Sequence, residues 1–584
     1  MRAPEYESQI AEAAAILDRF LRAPDAPPKI AWLLEHQYSP AGLSFSALKG
    51  ADAAKARVLV QAAARVQFAT HLGIIHIGES GAAEPDEDYF YRSRRNRYRD
   101  YDDREEEDDD EDVSFTAATV DDTWRYVDEW RDTDDRVLEF GRIPLAGGEL
   151  LPGGALDGEP PDEKRLTEAS GNEGATYERS YHRAALVLWR RNRTTDVLLQ
   201  AGVVAALPYL KELTAGGKRA WPEAIAVADR ILDAWPGDAQ RWDSYSIGRA
   251  WPGPADRIEM IAALRKLNAP PLLERFLREA VVSSYDGSEN ATLLASVKVL
   301  GETQAAEVFS TLVSARMPER PNECVELLLA LSENPPRRFP ELGEVAIAGL
   351  DRIGTRDSEQ ETFDWEPQEQ KRPLRPEFLE NLLRALQRFQ GGTLCGAAAE
   401  KIASRPEIFS PVTLVVPALE RICGGQRQKM AAVDSSIRHL WTSAAEFLLR
   451  YSEIPPEPPS DWRLNVELRC SCPDCRELQA FALDPAERVH RFRLRKERRR
   501  HLHNVIERHR LDMIHATERV GSPQTLVCTK DRRTFDRRMK RYQDEIAAMR
   551  TLVRLAPSGV APALSKRMQV AVNRANSSEE QCRG

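Results

Sequence analysis

"RPEFLENLLRALQRF", Arg375 to Phe389, places Phe378, Leu379, Leu382, Leu383, Leu386 and Phe389 three and four residues apart, with charged residues between them. Such spacing gathers the apolar side chains on one face of a helix, because an α-helix returns to the same side about every 3.6 residues. The pattern recurs on either side. "VLLQAGVVAALPYLKEL", "WPEAIAVADRILDAW", "DRIEMIAALRKL", "PPLLERFLREAV", "NECVELLLALSE" and "IRHLWTSAAEFLLRY" repeat it between breaks at Gly, Pro and charged stretches. Amphipathic helices in series bury their faces against one another, as α-solenoids do. No strict period links these segments. Residues 195–452 are therefore read as an irregular, α-solenoid-like helical array, and the fold class as mainly α.

Upstream, residues 1–67 are read as an N-terminal helical segment. "SQIAEAAAILDRFL", "KIAWLLEHQY" (Lys29 to Tyr38, after a Pro-rich break) and the Ala-rich "GADAAKARVLVQAAARVQ" all suit helices. The period then changes. "HLGIIHIGES", His71 to Ser80, is short and β-branched and reads as a strand, as do "VSFTAATV" and "VLEFGRIPL". "YHRAALVLWR", Tyr181 to Arg190, fits either a buried strand or the opening of a helix. Residues 68–194 thus form a small, β-containing α/β segment. Within it Glu84 to Val113 ends in the nearly pure acidic run "REEEDDDEDV". Such a run buries too little apolar surface to offset its ordering entropy, so 84–113 is read as an acidic, low-complexity, disordered insert. A solvated loop is the plain reading of it, and an acidic docking tract the alternative.

Downstream, the Pro-rich "YSEIPPEPPSDW" marks a boundary, with residues 453–462 as a linker. Beyond it the charge reverses. From Asp461 onward there are 27 Lys/Arg against 16 Asp/Glu, although the whole chain carries a net −10. "RLNVEL" reads as a strand, "RELQAFAL" as a helix and "VHRFRL" as a strand. "KERRRHLHNVIERH" reads as a helix with Leu502, Val505 and Ile506 on one side, and "LDMIHATER" and "QTLVCTK" as a hairpin. Residues 463–560, which include the final basic helix "TFDRRMKRYQDEIAAMRTLVRL", are read as a small α+β zinc-binding domain, and 561–584 as a frayed tail.

The zinc reading rests on "CSCPDC", Cys470 to Cys475, which holds three of the eight cysteines. Thiolates at i, i+2 and i+5 can converge on one Zn²⁺ at about 2.3 Å, and Pro473-Asp474 supplies the turn inside the knuckle. Tetrahedral closure needs a fourth ligand. Cys528, His501, His503 and His490 are candidates in the same domain, with His509 and His515 further ones, and spacing does not choose among them. His501 and His503 fall on opposite sides of one helix, so at most one faces the metal. A closed four-ligand site is structural and supplements a small core. A redox Cys-x-x-Cys pair competes, but Cys470 is then superfluous and no βαβ unit surrounds it. Chance clustering of inert thiols is the third reading.

Composition bounds the rest. With 584 residues the chain exceeds one core, and 42% apolar content with a mean hydropathy of −0.49 is ordinary for a protein without membrane spans. The N-terminus lacks the basic start and apolar block of a secretory signal, and the scattered cysteines do not form a disulfide framework. A cytoplasmic location follows as an expectation. The basic run around Arg498, Arg499 and Arg500 offers phosphate contacts and makes nucleic acid a candidate partner. "GNEGATYERSYHR" brings Glu173, Glu178, Tyr181, His182 and Arg183 together as a candidate polar site, although a turn into a buried element explains it as well. Catalytic residues are not found: there is no Walker A loop, G-x-S-x-G or H-E-x-x-H. None of the ten histidines opens an H-x-D or H-x-E pair.

"KIAWLLEHQYSPAGLSFSALKGADAA", "GNEGATYERSYHRAALVLW" and "CSCPDCRELQAFALDP…RRRHLH…GSPQTLVCTK" together resemble, in the same order, the C-terminal region of large bacterial and fungal 2-oxoglutarate/Fe(II)-dependent oxygenases of the prolyl-4-hydroxylase-like class. The resemblance runs from about Lys29 to about Arg541. In that family the H-x-D…H iron ligands and the oxoglutarate-binding arginine lie upstream, in a double-stranded β-helix. The resemblance therefore implies Fe(II) and 2-oxoglutarate only where such an upstream domain exists, and it assigns neither to any residue here. It implies a non-catalytic accessory or scaffolding region that meets a protein partner or the oxygenase domain, or else a truncated oxygenase. A nucleic-acid-binding module using the basic C-terminal domain is the alternative.

Overall fold

The computed structural model describes the chain except for residues 1–2, 24–25, 86–114, 155–158, 168–173, 237–250, 334–338, 355–372, 390–391, 425–434, 557–560 and 584. Most of the acidic insert lies outside the described residues, as does Glu173. The fold is mainly α, with one sheet near each end of the chain. It divides into two compact units, Met1–Leu312 and Val313–Gly584, and the boundary falls inside the helical array. Among the described residues no helix is long and apolar enough to cross a membrane.

The first unit is built on an eight-stranded sheet. Its strands are β1 (Lys29–Leu33), β2 (Phe68–Pro85), β3 (Phe115–Ala117), β4 (Asp122–Arg131), β5 (Ile143–Pro144), β6 (Leu150–Leu151), β7 (Glu163–Thr167) and β8 (Thr176–Arg190). The order is β5-β4-β2-β8-β1-β6, with β3 on β2 and β7 on β8. β2 and β8 pair antiparallel from Phe68↔Arg190 to Ala82↔Thr176. This ladder decides the ambiguous Tyr181–Arg190 in favour of a strand. Its apolar run is continuous because both faces are covered there. Leu186 and Leu188 pack with Leu72 and Ile74 beneath helices α1 (Ala3–Arg22) and α2 (Gly50–Arg65), while Trp189 on the other face meets Trp130 and Phe140.

"KIAWLLEHQY" corrects the helical reading of residues 1–67. Lys29–Leu33 is a strand, paired antiparallel with β8 and parallel with β6. Pro27 and Pro28 bias the entry toward extended backbone, and two strand partners outweigh the helix propensity of a five-residue apolar run. The N-terminal helices and the following strands therefore share one core. "VLEFGRIPL" yields only the two-residue β5, with Val137 in an isolated bridge to Arg131.

The helices follow their apolar periods. In the second unit Pro376–Phe389 buries Phe378, Leu379, Leu382, Leu383, Leu386 and Phe389 and packs on Pro321–Glu333. Gly392–Ser404 packs on Ser435–Ser452. The long basic helix Arg533–Leu555 also joins this array, where Trp441 Nε1 donates to the Leu552 carbonyl at 3.0 Å. Residues 561–584 are not a frayed tail. Pro562–Arg583 is helical and buries Met568, Ala571, Val572 and Ala575.

The small α+β module between them holds β9 (Val489–Arg493), β10 (Met513–Glu518) and β11 (Thr525–Lys530) in the order β10-β11-β9. Helices Pro473–Leu483 and Lys496–Arg508 accompany the sheet. Its core is Leu478, Phe481, Phe492, Leu502, Ile506, Met513 and Leu526 with a few neighbours. "RLNVEL" is not a strand. The amide of Gln479 donates to the Val466 carbonyl while its oxygen accepts from Leu468 N, so one side chain substitutes for a ladder.

Candidate metal centre

Cys472 is the N-cap of the helix Pro473–Leu483, and its sulfur accepts from Cys475 N at 3.4 Å. Pro473 suits the first helical position because it has no N–H to lose. The knuckle turns Cys475 inward and leaves Cys470 just before it. His501 arrives from the second turn of Lys496–Arg508. Its Nε2 lies 3.5 Å from Cys470 Sγ, 3.6 Å from Cys472 Sγ and 3.2 Å from Cys475 Sγ. All four ligand atoms fall within 4.8 Å of one another. A tetrahedral ion with bonds of about 2.3 Å to sulfur and about 2.0 Å to nitrogen requires S···N separations of roughly 3.5 Å. Among the described residues this is the one group of three or more His, Cys, Asp or Glu ligands gathered closely enough to hold a metal ion.

The electrostatics of the knuckle are asymmetric. The Cys475 amide pulls the Cys472 thiol down to about 7, against the effect of burial, whereas burial pushes the Cys475 thiol up. Arg498 grips Asp474 with two nitrogens and so braces the two helices next to the ligands. The pair Cys472 and Cys475 opens a helix, as redox pairs do. Here, however, Cys470 and His501 close the set around them, and no strand leads into the knuckle as it would in a thioredoxin-like βαβ unit.

The other candidate fourth ligands are engaged elsewhere. Cys528 is fully buried on β11, and burial pushes its thiol up to about 12. His490 lies against Phe481 and Phe492 and bonds to Glu477 and Glu487. Burial opposes its charge, but the two carboxylates prevail and raise its pKa. His503 contacts Thr517 Oγ1 at 3.4 Å and packs against the His515 ring. His515 in turn is 3.8 Å from Glu507, and His509 caps the helix end.

The phosphate-contact reading needs correction at two of its three positions. Arg498 is held by Asp474. Arg499 is buried, donating to the Leu494 carbonyl at 2.6 Å and to Gln524 Oε1 at 2.8 Å. Arg500 is exposed and, among the described residues, unpaired.

The candidate polar site does not converge either. Alternation along β8 sends His182 to one face and Tyr181 and Arg183 to the other. Arg183 pairs with Asp162, which also accepts from His182 N. The His182 ring instead meets His76 edge-on, centroids 4.6 Å apart. His76 stacks on Tyr126 and bonds to Asp128 Oδ1 at 2.6 Å. This row of side chains comes from three strands and leaves no sequence signal, because only the register of β2 with β4 and β8 creates it.

Two further polar hubs are invisible in the sequence. Buried Asp52 accepts from Glu35 N, His36 N and Tyr38 OH, and contacts His36 Nδ1 at 2.8 Å. These bonds outweigh desolvation and hold its carboxyl below the usual range. Lys29, fully buried, reaches Glu149 at 2.9 Å and Gln200 at 2.6 Å, and burial lowers its pKa. Comparison of the chain with protein-family models, curated proteins and solved structures gives no match.

Proposed function

We propose that the C-terminal module is a structural zinc fold with Cys470, Cys472, Cys475 and His501 as ligands. We propose further that the chain is a non-catalytic accessory or scaffolding region of a 2-oxoglutarate/Fe(II) oxygenase-like protein, acting through contact with a protein partner or with the oxygenase domain. The single observation that carries the zinc reading is the mutual approach of the four ligand atoms. Cys₃His sites that fill all four positions with protein ligands leave none for a substrate or water, which suits a structural rather than a catalytic role. The module also needs support: a core of this size rarely supplies more than about 3–5 kcal/mol.

The family reading is supported by the sequence resemblance alone. Its first two stretches build β1 with the Asp52 hub and β8, and its third builds the metal module. Fe(II) and 2-oxoglutarate belong, in this reading, to a catalytic domain outside the residues discussed. Free thiols at the described cysteines fit a reducing cytoplasm.

Metal analysis of the purified chain is the test of the zinc site. One zinc per chain is expected, and Cys472→Ser should lose it together with the protection of residues 463–530 against proteolysis. A metal-free protein whose module remains folded refutes the site. Separately, oxoglutarate turnover by the purified chain with added iron refutes the non-catalytic reading.

A further inference from the structure

Among the described residues, Arg500 belongs to a larger group of free cations that the linear run concealed. On β9 the side chain of Phe492 points into the core while Arg491 and Arg493 point outward. Arg491 is used, with both its terminal nitrogens 2.8 Å from the Glu518 carboxylate. Arg493 pairs in register with Thr525 of β11, which faces Glu518 of β10. The hairpin tip that follows Glu518 therefore lies beside Arg493. Gly521 in that tip adopts a φ of +79°, and a Cβ there would stand 3.9 Å from Arg493 Nη2. Arg499 then ties the helix Lys496–Arg508 to the same tip through Gln524.

These constraints bring Arg493, Arg495, Lys496, Arg500 and Arg519 to one corner of the module. All five are exposed, and none has a hydrogen bond or ion pair to its side chain among the described residues. Glu497 is the one acidic residue within the first turn of the helix. The N-cap, Arg495, provides no side-chain cap, so the open amides and the positive end of the helix dipole add to the field.

We infer that this corner, formed by the end of β9, the start of the Lys496–Arg508 helix and the β10–β11 hairpin tip, binds the phosphate backbone of nucleic acid without reading its sequence. The inference adds a partner to the module proposed above and rests on that module being folded around its metal. Four of the five cations are arginines, whose planar fork matches phosphate oxygens in pairs. The module's phenylalanines, Phe481 and Phe492, are buried, so neither offers a ring on which bases could stack. Affinity must then come from charge neutralisation and counterion release, which is independent of sequence and steeply dependent on salt. An acidic protein surface would be drawn to the same charge. A protein interface, however, needs a large apolar or aromatic anchor at its centre, and Val520 is the one large exposed hydrophobic side chain at the tip.

The test is fluorescence anisotropy of the full chain with labelled mixed-sequence RNA and duplex DNA over about 50–200 mM salt. The wild-type chain is expected to bind both with no preference for sequence. The variant R493Q/R495Q/K496Q/R500Q/R519Q should bind at least about tenfold more weakly, its log–log salt slope shallower by about 0.7–0.9 per lost phosphate contact. R463Q/R508Q, which removes exposed charge elsewhere on the module, should stay within about twofold of wild type. R493Q/R519Q, both positions off the metal-bearing helix, should give an intermediate loss and guards against misfolding of the larger variant. Zinc content measured on each preparation separates loss of the module from loss of the patch. The inference is overturned if the wild-type chain, with zinc bound, ignores oligonucleotides at low salt. It is equally overturned if R463Q/R508Q loses as much affinity as the fivefold variant. Binding of phosphatidylserine vesicles without oligonucleotide binding, or displacement of RNA by polyglutamate at equal charge, also overturns it.

Discussion

His71 lies on β2 with its ring stacked on Trp189 at 4.5 Å and edge-on to Phe140 at 5.3 Å and Trp130 at 6.4 Å. Its Nδ1 is buried and makes no hydrogen bond. Burial lowers its pKa to about 4, with Asp132 opposing and Arg191 assisting. In the unfolded chain the same imidazole titrates near 6.5. Between these values the unfolded state binds the proton and the native state does not, so native stability is undiminished above pH 6.5 and is lost as pH falls toward 4. A difference of about 2.5 pKa units corresponds to roughly 3 kcal/mol, most of which is already lost at about pH 4.5. His71→Phe keeps an aromatic ring in the box and removes the titration. The urea dependence of hydrogen exchange in β2 and β8 peptides, at pH 7.5 and 4.5, reads the stability of this unit. The variant should lose about 2–3 kcal/mol less than wild type between the two pH values, while the contributions of other groups cancel in the comparison. At pH 7.5 it should match or exceed wild type, since an unsatisfied buried polar atom costs about 1–3 kcal/mol. An equal loss in both proteins would show that His71 does not stay neutral and buried in the native state.

Other predictions address the ligand choice and the buried ion pair. His501→Ala should weaken zinc affinity by several powers of ten in a chelator competition, whereas Cys528→Ala should keep one zinc per chain and cost stability only through a small cavity, about 1–2 kcal/mol. The reverse result would reassign the fourth ligand. Lys29→Met or Glu149→Met alone should cost about 3–5 kcal/mol in urea unfolding of the first unit, because each strands a buried partner. Lys29→Met with Glu149→Met should recover much of that loss, and strict additivity of the two single effects would argue against the pair.

The helices of both units were legible because an apolar stripe at a period of 3.6 is a local property. Phe378, Leu382 and Phe389 share a face whatever they pack against. β1 was not legible. Its five residues become a strand through pairing with Val187 and Leu188, more than 150 positions away in the chain, and with Leu150 and Leu151. No local propensity carries that information. The helix Pro562–Arg583 was missed for a related reason: its apolar positions are sparse, and burial of Met568, Ala571 and Val572 against neighbouring helices completes them.

The same division runs through the metal centre. Three sulfurs at Cys470, Cys472 and Cys475 declare themselves because chelating spacing within one loop is set by the chain itself. The fourth ligand is chosen by how one helix packs against another. That packing turns His501 toward the sulfurs, His503 toward Thr517 and His490 toward Glu477 and Glu487. Packing likewise consumes Arg498 and Arg499 in holding the module together and leaves Arg500 to join Arg493, Arg495, Lys496 and Arg519 at a corner that no linear run spells out. Charge, periodicity and cysteine spacing belong to neighbours in sequence, so the chain alone determines them. Which cation stays free and which histidine faces the sulfurs depend on contacts between distant segments, and only the tertiary structure decides those.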